Sequence, residues 1–333
     1  MAITLNNNEY YTGLTNLALY VAMYRTNFSD STEATIDKFT TESLVYGDTK
    51  VFRSIPFPSV SDYSKTSSLL NDNTPSFTPK GESTAKNFIE ETIQVNNRKL
   101  IKNSYSIENL KLAITSDYGA NEFVSIVLTN IESAKNDFLY DLIVEEISKA
   151  KYGKTVTVSL LDSTKFETTP SELQAAETIN TKRLSLALQK EIDGLTHFST
   201  DYNKYGLKQS VNLSDLRLVV FQPYKNQAVV DLFAELLNSE FINKNFPRPE
   251  LITIPEEKAK AASSYDANFV AALMHKSSIQ IFYKLVFMGD FFDPSTLRVN
   301  NFLHFWFGIG QVEQLPSCKI TKSTGAWLLC IMR

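Results

Sequence analysis

Hydrophobic and polar residues follow an extended pattern through much of the first hundred positions. After a short apolar helix predicted over 14–24, a Gly-Asp turn at 47–48 leads into an extended run. Its Pro56 and Pro58 exclude a helix and favour an edge strand. Residues 61–87 are dominated by Ser, Thr, Asn, Asp, Pro and Gly, so they cannot build a core of their own. Apolar and polar residues then alternate again, which predicts a single return strand and therefore a projecting hairpin with a polar tip.

Two helices are predicted next from their apolar spacing. Ser106 is expected to cap a long helical region, whose second part over 121–149 would be about 43 Å long at 1.5 Å per residue. Gly119 is a candidate break within this region. After a loop over 151–169, a second helix is predicted over 170–194, since Pro opens this segment and Gly ends it.

The segment after the second helix combines strand and helix patterns. Residues 216–221 form a short apolar run that is typical of a buried strand, and 250–254 are a second short strand between prolines. Residues 226–242, between the two strands, have the spacing of a helix. This order of strand, helix and strand predicts a compact α/β unit.

An aromatic strand pair follows. Residues 269–285 and 300–321 are predicted to be strands on either side of a turn at the Asp-Pro-Ser sequence. One side of the first strand is expected to carry Ile279, Ile281, Tyr283 and Leu285. The second strand is expected to pack on both of its faces, which carry Phe302, His304 and Trp306 on one side and Leu303, Phe305 and Phe307 on the other.

Composition and charge narrow the class of protein. The chain is 43% hydrophobic and 21% charged, which is ordinary for a folded protein, while its 12% aromatic content suits a large core and protein–protein interfaces. The net charge of −4 gives no bulk attraction to nucleic acid. Two cysteines, Cys318 and Cys330, provide no disulfide framework, which favours a reducing compartment. With no targeting signal and no membrane-spanning apolar run, we expect a soluble, cytosolic protein.

The sequence holds no recognisable catalytic or metal-binding motif. The three histidines form no zinc-binding pattern, and the glycine-rich loops that bind nucleotides are missing. Cys318 fits a small apolar strand residue better than a nucleophile, and Asp290 with Asp293 fit a turn better than a catalytic dyad. His275 and His304 could meet across a sheet as a general base, although packed histidines are the commoner outcome. We therefore predict no catalytic residue, no cofactor and no metal.

The order of these elements resembles the major capsid proteins of tailed bacteriophages, whose Johnson fold is shared with encapsulins, and most closely those of small short-tailed phages. The resemblance rests on the N-terminal arm, the polar hairpin, the long helix after "YSIENL" and the unit around "LRLVVFQPYKNQAVVDLFAELLNSEFI". It continues through "ALMHKSSIQIFYKL" and "NNFLHFWFGIGQ", whereas the final "KSTGAWLLCIMR" departs from the family pattern. The resemblance implies an α+β fold with an N-terminal arm, an extended hairpin arm, a long spine helix with β-strands and a compact α/β axial domain.

The resemblance also implies five regions along the chain. They are an N-terminal arm (1–44), a hairpin arm with peripheral-domain strands (45–103), a spine helix in the peripheral domain (104–155), an axial domain (156–285), and return strands with a C-terminal tail (286–333). In this family arrangement the hairpin arm would lie over a neighbouring subunit; without the resemblance, a flexible surface loop is an equal alternative. The expected inter-subunit contacts are Phe57, Tyr63, Leu69, Leu70 and Phe77.

By the same resemblance, the function is self-assembly into an icosahedral shell that encloses a double-stranded DNA phage genome, with no reaction catalysed. The expected partners are copies of the chain as hexamers and pentamers. Further candidates are a scaffolding protein, a portal and minor capsid or head-fibre proteins. DNA would be enclosed without sequence-specific binding, no membrane is involved, and the virion capsid would assemble in the host cytoplasm. Two alternatives stay open: another virion component, such as a tail or connector protein, or an α/β enzyme without a recognisable motif.

Overall fold

The structure is a computed structural model that describes residues 31–45, 47–56, 88–106, 117–161, 170–225 and 249–324. The helices predicted over 14–24 and 226–242, the polar hairpin tip and the residues after 324 lie outside this part of the chain.

Four α-helices and ten strands are present in the described part. The helices are α1 (Ser31–Phe39), α2 (Asp117–Lys149), α3 (Pro170–Thr196) and α4 (Glu256–Ala261). The strands are β1 (Thr49–Ser54), β2 (Ile89–Gln94), β3 (Asn97–Ser106), β4 (Lys154–Leu160), β5 (Leu216–Phe221), β6 (Glu250–Ile254), β7 (Phe269–His275), β8 (Ile279–Asp293), β9 (Arg298–Gln311) and β10 (Ser317–Thr324).

The strands form three sheets. A five-stranded sheet has the order β4-β10-β7-β5-β6, in which β10 is parallel to β4 and β5 is parallel to β6. A three-stranded antiparallel sheet has the order β3-β9-β8, and β1 pairs with β2 as a separate antiparallel hairpin. The parallel pairing of β5 with β6 agrees with the predicted α/β unit, because parallel neighbours need a crossover connection.

Two large apolar clusters hold these sheets together. One face of the five-stranded sheet packs against Leu184 and Leu188 of α3, where Leu218 and Val220 of β5 are fully buried. The other face contributes to a core that also takes in α1, α2 and the three-stranded sheet. Phe138 of α2 is partly buried and packs against this core, with its ring 6.2 Å from Phe305 and 6.4 Å from Phe307 between centroids. A continuous core therefore joins the two larger sheets through α2.

The long helix has the predicted end and a different beginning. It ends at Lys149 as expected, and its 33 residues span about 50 Å at 1.5 Å per residue. Gly119 lies inside its first turn and does not break it. The predicted cap at Ser106 is wrong, because Ser106 is the last residue of β3 and pairs with Arg298. Ser106 therefore pairs with a strand and does not cap a helix.

Two further predictions are corrected by long-range pairing. The single return strand of the hairpin is two strands: β2 pairs with β1, whereas β3 leaves the hairpin and pairs with β9. The predicted loop over 151–169 contains β4, which pairs with β10 from the far end of the chain. Helix α3 begins at Pro170 as predicted and continues two residues past Gly194, to Thr196.

Candidate subunit-contact surfaces

The three-stranded sheet has an outer face that is turned away from α2. Because directly opposite residues of antiparallel strands share a face, the register defines this outer face as five rows of three residues. The rows are Arg98, Trp306, Leu285; Leu100, His304, Phe287; Lys102, Phe302, Gly289; Ser104, Asn300, Phe291; and Ser106, Arg298, Asp293. The opposite face, with Phe305 and Phe307, is the one that packs on α2. Alternation along the strands thus divides aromatic residues between a core and a surface.

Large apolar side chains on the outer face are unusually exposed. Leu100 is 51% exposed, and Phe287 and Phe291 are each 58% exposed. Val286, on the other side of the same strand, is 55% exposed, since the far end of β8 extends beyond the core. Contiguous exposed apolar surface of this kind marks protein–protein contact sites in soluble proteins. Phe302, His304 and Trp306, which were predicted to pack on this face, are half-buried, so the strand pair packs only in part on its outer face within one subunit.

A β-bulge at Lys284 determines which side chains of β8 reach the outer face. Tyr283 pairs with Phe307 and Leu285 pairs with Trp306, so Lys284 is an extra residue in β8. Leu285 consequently lies on the outer face, and the prediction that it shares a side with Ile281 is wrong. The period-two pattern cannot reveal this shift, because one inserted residue exchanges the faces of every later position.

Cations lie over the aromatic residues of the outer face. The guanidinium carbon of Arg98 is 4.7 Å from the ring centre of Trp306, and the amine of Lys102 is 5.7 Å from that of Phe302. These distances allow cation–π attraction. The five rows contain three basic side chains, Arg98, Lys102 and Arg298, and one carboxylate, Asp293, which is hydrogen-bonded within the β8–β9 turn. The face therefore combines apolar area with a modest positive charge.

The β1–β2 hairpin carries a second exposed apolar surface, which extends to the end where its strands lead into residues 57–87. Val51, Ile55 and Phe88 are 45%, 85% and 60% exposed on one side of the hairpin. Between them Arg53 donates to Glu90 at 2.8 Å and lies over the Phe88 ring. The opposite side of the hairpin packs on the body, where Ile93 and Phe282 are buried together. In the sequence, this surface could have been recognised from Phe88, a large apolar residue directly after the polar segment 61–87.

The turn between β8 and β9 is a tightly hydrogen-bonded tip. The Asp293 carboxylate accepts hydrogen bonds from the backbone N–H and hydroxyl of Ser295 and from the hydroxyl of Thr296, at 2.6–2.9 Å. These bonds lower the pKa of Asp293 to about 2. Leu297 follows with a φ of 51° and is 56% exposed. The structure confirms the turn predicted here, and Asp293 serves the turn and not a catalytic dyad.

The five contacts predicted from sequence, Phe57, Tyr63, Leu69, Leu70 and Phe77, lie outside the described residues. The exposed apolar residues that the structure does describe, on β1, β3 and β8, were not singled out from the sequence as contacts. Both sets nevertheless lie in segments on which the capsid resemblance rests, namely the hairpin region 45–103 and the aromatic strands.

The two histidines do not meet across a sheet. His275 is the last residue of β7 in the five-stranded sheet, whereas His304 lies in β9 of the three-stranded sheet. Nδ1 of His275 accepts a hydrogen bond from the backbone N–H of Ser277 at 3.0 Å. Burial lowers the pKa of His275, although Asp215 partly opposes this effect. His275 is therefore a packed turn residue, which is the outcome favoured from the sequence.

Cys318 has none of the properties of a nucleophile. It is fully buried in β10, and this burial, followed by the charge of Glu191, raises its pKa to about 12. A thiol needs to be ionised and accessible to react. Within the described part of the chain, no cluster of His, Cys, Asp and Glu could hold a metal ion, and no helix is long and apolar enough to cross a membrane.

Comparison with protein families matches residues 8–321 to the Phi29-like phage major capsid proteins. The chain belongs to this family. Phi29-like major capsid proteins form the shell of a phage particle and are structural proteins, so the chain is a shell-forming virion protein and not an enzyme. The predicted resemblance to phage major capsid proteins is confirmed. The alternatives of a tail protein, a connector protein or an enzyme are therefore set aside. No curated protein matches the sequence.

Solved structures agree with this family at the level of the fold. A chain of the capsid of Staphylococcus phage Andhra is 10% identical, with a TM-score of 0.61 over 90% of this chain and 84% of that one. A chain in the structure of the head fiber and inner core protein of native bacteriophage P68 is 11% identical, with a TM-score of 0.53, covering 86% and 84%. A chain of the capsid of Cyanophage P-SCSP1u is 8% identical, with a TM-score of 0.52, covering 86% and 87%. The predicted α+β phage capsid fold is thereby confirmed.

Proposed function

We propose that copies of this major capsid protein associate as hexamers and pentamers in a closed icosahedral shell around a double-stranded DNA genome. The observation that carries this proposal is the outer face of the three-stranded sheet, where Leu100, Phe287 and Phe291 are more than half exposed in one subunit. Burying such side chains against a second subunit removes apolar area from water. The same contact repeats around a shell, so each one can be modest.

The hairpin arm is proposed to lie over a neighbouring subunit. Support comes from Ile55 and Phe88, the exposed apolar residues at the points where the described strands lead into 57–87. The predicted anchors Phe57, Tyr63, Leu69, Leu70 and Phe77 fall in that segment and would continue the contact. The five-region division of the chain, from the arm at 1–44 to the tail at 286–333, is part of the same proposal.

The genome is proposed to be enclosed without sequence-specific binding. A net charge of −4 is supporting evidence, because a mildly acidic wall repels phosphates and lets packaged DNA slide. We further propose assembly in the host cytoplasm, with a scaffolding protein, a portal and minor capsid or head-fibre proteins as partners. The resemblance of the fold to a chain from a structure that includes a head fiber supports the last of these.

Electron microscopy of the purified protein tests the shell directly. We expect closed particles, or hexamers and pentamers, at high protein concentration with or without a scaffolding protein. A strictly monomeric protein under all of these conditions would contradict the proposal.

Deletion of residues 64–84 tests the arm. The deleted segment is mostly polar and lies between β1 and β2, outside their paired residues, so the subunit should keep its thermal unfolding temperature. Assembly measured by sedimentation should fail, because the arm can no longer reach its neighbour. A variant in which the same 21 positions become a Gly/Ser sequence is the matched control: it restores the length without Leu69, Leu70 and Phe77 and should also fail. Unimpaired shells from either variant would remove the arm from the assembly contact.

A further inference from the structure

Two passages of the chain that lie next to each other lead into the three-stranded sheet. The first is a strap, residues 38–44, which leads from the end of α1 to the edge of β8. The second is the turn 276–278, which connects β7 of the five-stranded sheet to β8 of the three-stranded sheet. Together with residues 312–316, which connect β9 to β10, these passages link the three-stranded sheet to the rest of the subunit.

The strap is bonded to the three-stranded sheet through its backbone. The N–H of Thr41 donates to the carbonyl of Ile281 at 2.8 Å, and the N–H of Leu44 donates to the carbonyl of Tyr283 at 2.9 Å. Thr40 forms a parallel bridge with Ile281. These bonds extend the sheet by a short parallel segment at the edge of β8.

The other end of the strap is held by one buried arginine of the five-stranded sheet. Arg217 of β5 is 2% exposed, and its Nη2 donates to the carbonyl of Lys38 at 2.8 Å. Its Nη1 donates to the carbonyl of Lys276 at 3.2 Å, and its Nε donates to the Glu250 carboxylate of β6 at 3.0 Å. The guanidinium also lies 4.3 Å from the ring centre of Phe39. One planar group therefore contacts both passages and the neighbouring strand.

Stability alone does not account for an arginine at this position. Taking a guanidinium out of water is costly, and a buried ion pair is often no more stabilising than apolar residues of similar volume. Burial lowers the pKa of Arg217, and the bond to Glu250 opposes that effect. What an apolar side chain cannot supply is the rigid fork of N–H donors, which fixes two carbonyls and a carboxylate in one arrangement.

We propose that Arg217 is a positioning residue for assembly, which fixes the angle between the two sheets of each subunit and so selects the diameter of the shell. This inference rests on the proposed closed shell. Subunits that repeat one contact close into a shell only when each is rotated by the correct amount relative to the next. A change of angle within the subunit is repeated in every copy, and it therefore changes curvature before it changes the ability to associate.

Substitution of Arg217 tests this inference. Arg217→Lys keeps the charge but cannot serve three acceptors in the same plane, and Arg217→Met removes the donors while keeping an unbranched apolar stem. We expect folded subunits that still associate but give particles with a shifted or broadened diameter distribution in electron micrographs. A loss of yield at unchanged diameter would overturn the proposal, because that is the outcome of destabilisation alone.

A second variant breaks the strap at its other end. Thr41→Pro removes the N–H that donates to Ile281 and leaves Arg217 intact. The same change of diameter is expected, and this variant alone decides the question if the Arg217 variants do not fold. Shells of wild-type diameter from Thr41→Pro would then refute the proposal.

Lys154→Met is the matched control. Lys154 lies on β4, at the opposite edge of the five-stranded sheet from β6, and pairs with the buried Glu191 at 2.7 Å. It should lower stability and shell yield without changing the diameter. If Lys154→Met changes the diameter as Arg217→Lys does, the effect is not specific to the strap and the proposal fails. Absence of shells from the wild-type protein would refute the proposed function instead.

Discussion

At the scale of single residues, Tyr202 lies so close to two glycines that a side chain at either position would collide with it. Its hydroxyl donates to the buried Glu191 carboxylate at 2.8 Å, and burial, followed by the bond to Glu191, raises its pKa to about 12. A Cβ on Gly194 would lie 2.0 Å from this hydroxyl, and one on Gly153 would lie 2.1 Å from the Tyr202 backbone. Gly153 thus needs glycine because the Tyr202 backbone approaches it closely, whereas a side chain at position 194 would require the Tyr202 ring to shift.

Gly153→Ala is therefore expected to destabilise the subunit. The added methyl group would meet backbone atoms, which cannot rotate away as a side chain can, so we expect a loss of roughly 2–3 kcal/mol in unfolding free energy. Gly206→Ala is the control: this residue has a φ of +65° and open space around its Cβ position, so only backbone strain of about 1 kcal/mol is expected. Urea unfolding of the two variants measures the difference. Equal losses would contradict the close contact.

At the scale of elements, the sequence correctly predicted helices, strands and turns whose signal is contained in a few consecutive residues. The end of α2, the buried strands β5 and β6, and the turn at Asp293 were all predicted correctly from such patterns. Strand β4 was missed although its valines alternate with threonines, which is a period-two pattern typical of a strand. The run is short, and its partner β10 lies about 160 residues away. The bulge at Lys284 was missed for a related reason: the sheet register, not the sequence spacing, decides the face of each later residue.

The outer face of the three-stranded sheet gives a prediction at this scale. Phe287→Asp should leave the unassembled subunit folded, because the side chain is already 58% exposed. It should strongly reduce assembly, since a carboxylate would have to be desolvated in the contact between subunits. Phe287→Leu is the matched control and should assemble nearly as well as the wild type. Sedimentation of the three proteins at equal concentration provides the measurement, and normal assembly of Phe287→Asp would exclude this face from the contact.

At the scale of the whole molecule, the order of elements identified the family even though several boundaries were wrong. An arm, a hairpin, a long helix and aromatic strands remain in sequence order whether or not one strand is missed. The position of Arg217 shows the limit of this reasoning. Its place in a short apolar run predicts a buried strand and gives no indication that the side chain joins Lys38 to Lys276, which come from opposite ends of the chain. Such contacts exist only after the sheets have formed.

The balance of charge and exposed apolar surface predicts how assembly depends on salt. Each subunit carries a net charge of −4, so like subunits repel weakly, and added sodium chloride should screen this repulsion and promote assembly. Sodium sulfate at the same ionic strength should promote it further, because sulfate strengthens the burial of apolar surface such as Leu100, Phe287 and Phe291.

Light scattering during assembly in the two salts measures both effects, and Phe287→Asp serves as the control because it should lose much of the additional response to sulfate. An assembly held mainly by ion pairs would behave in the opposite way, weakening as sodium chloride is added. That result would transfer the contact from the apolar outer face to charged pairs elsewhere on the subunit, because the one carboxylate among the five rows of this face, Asp293, is already hydrogen-bonded to Ser295 and Thr296.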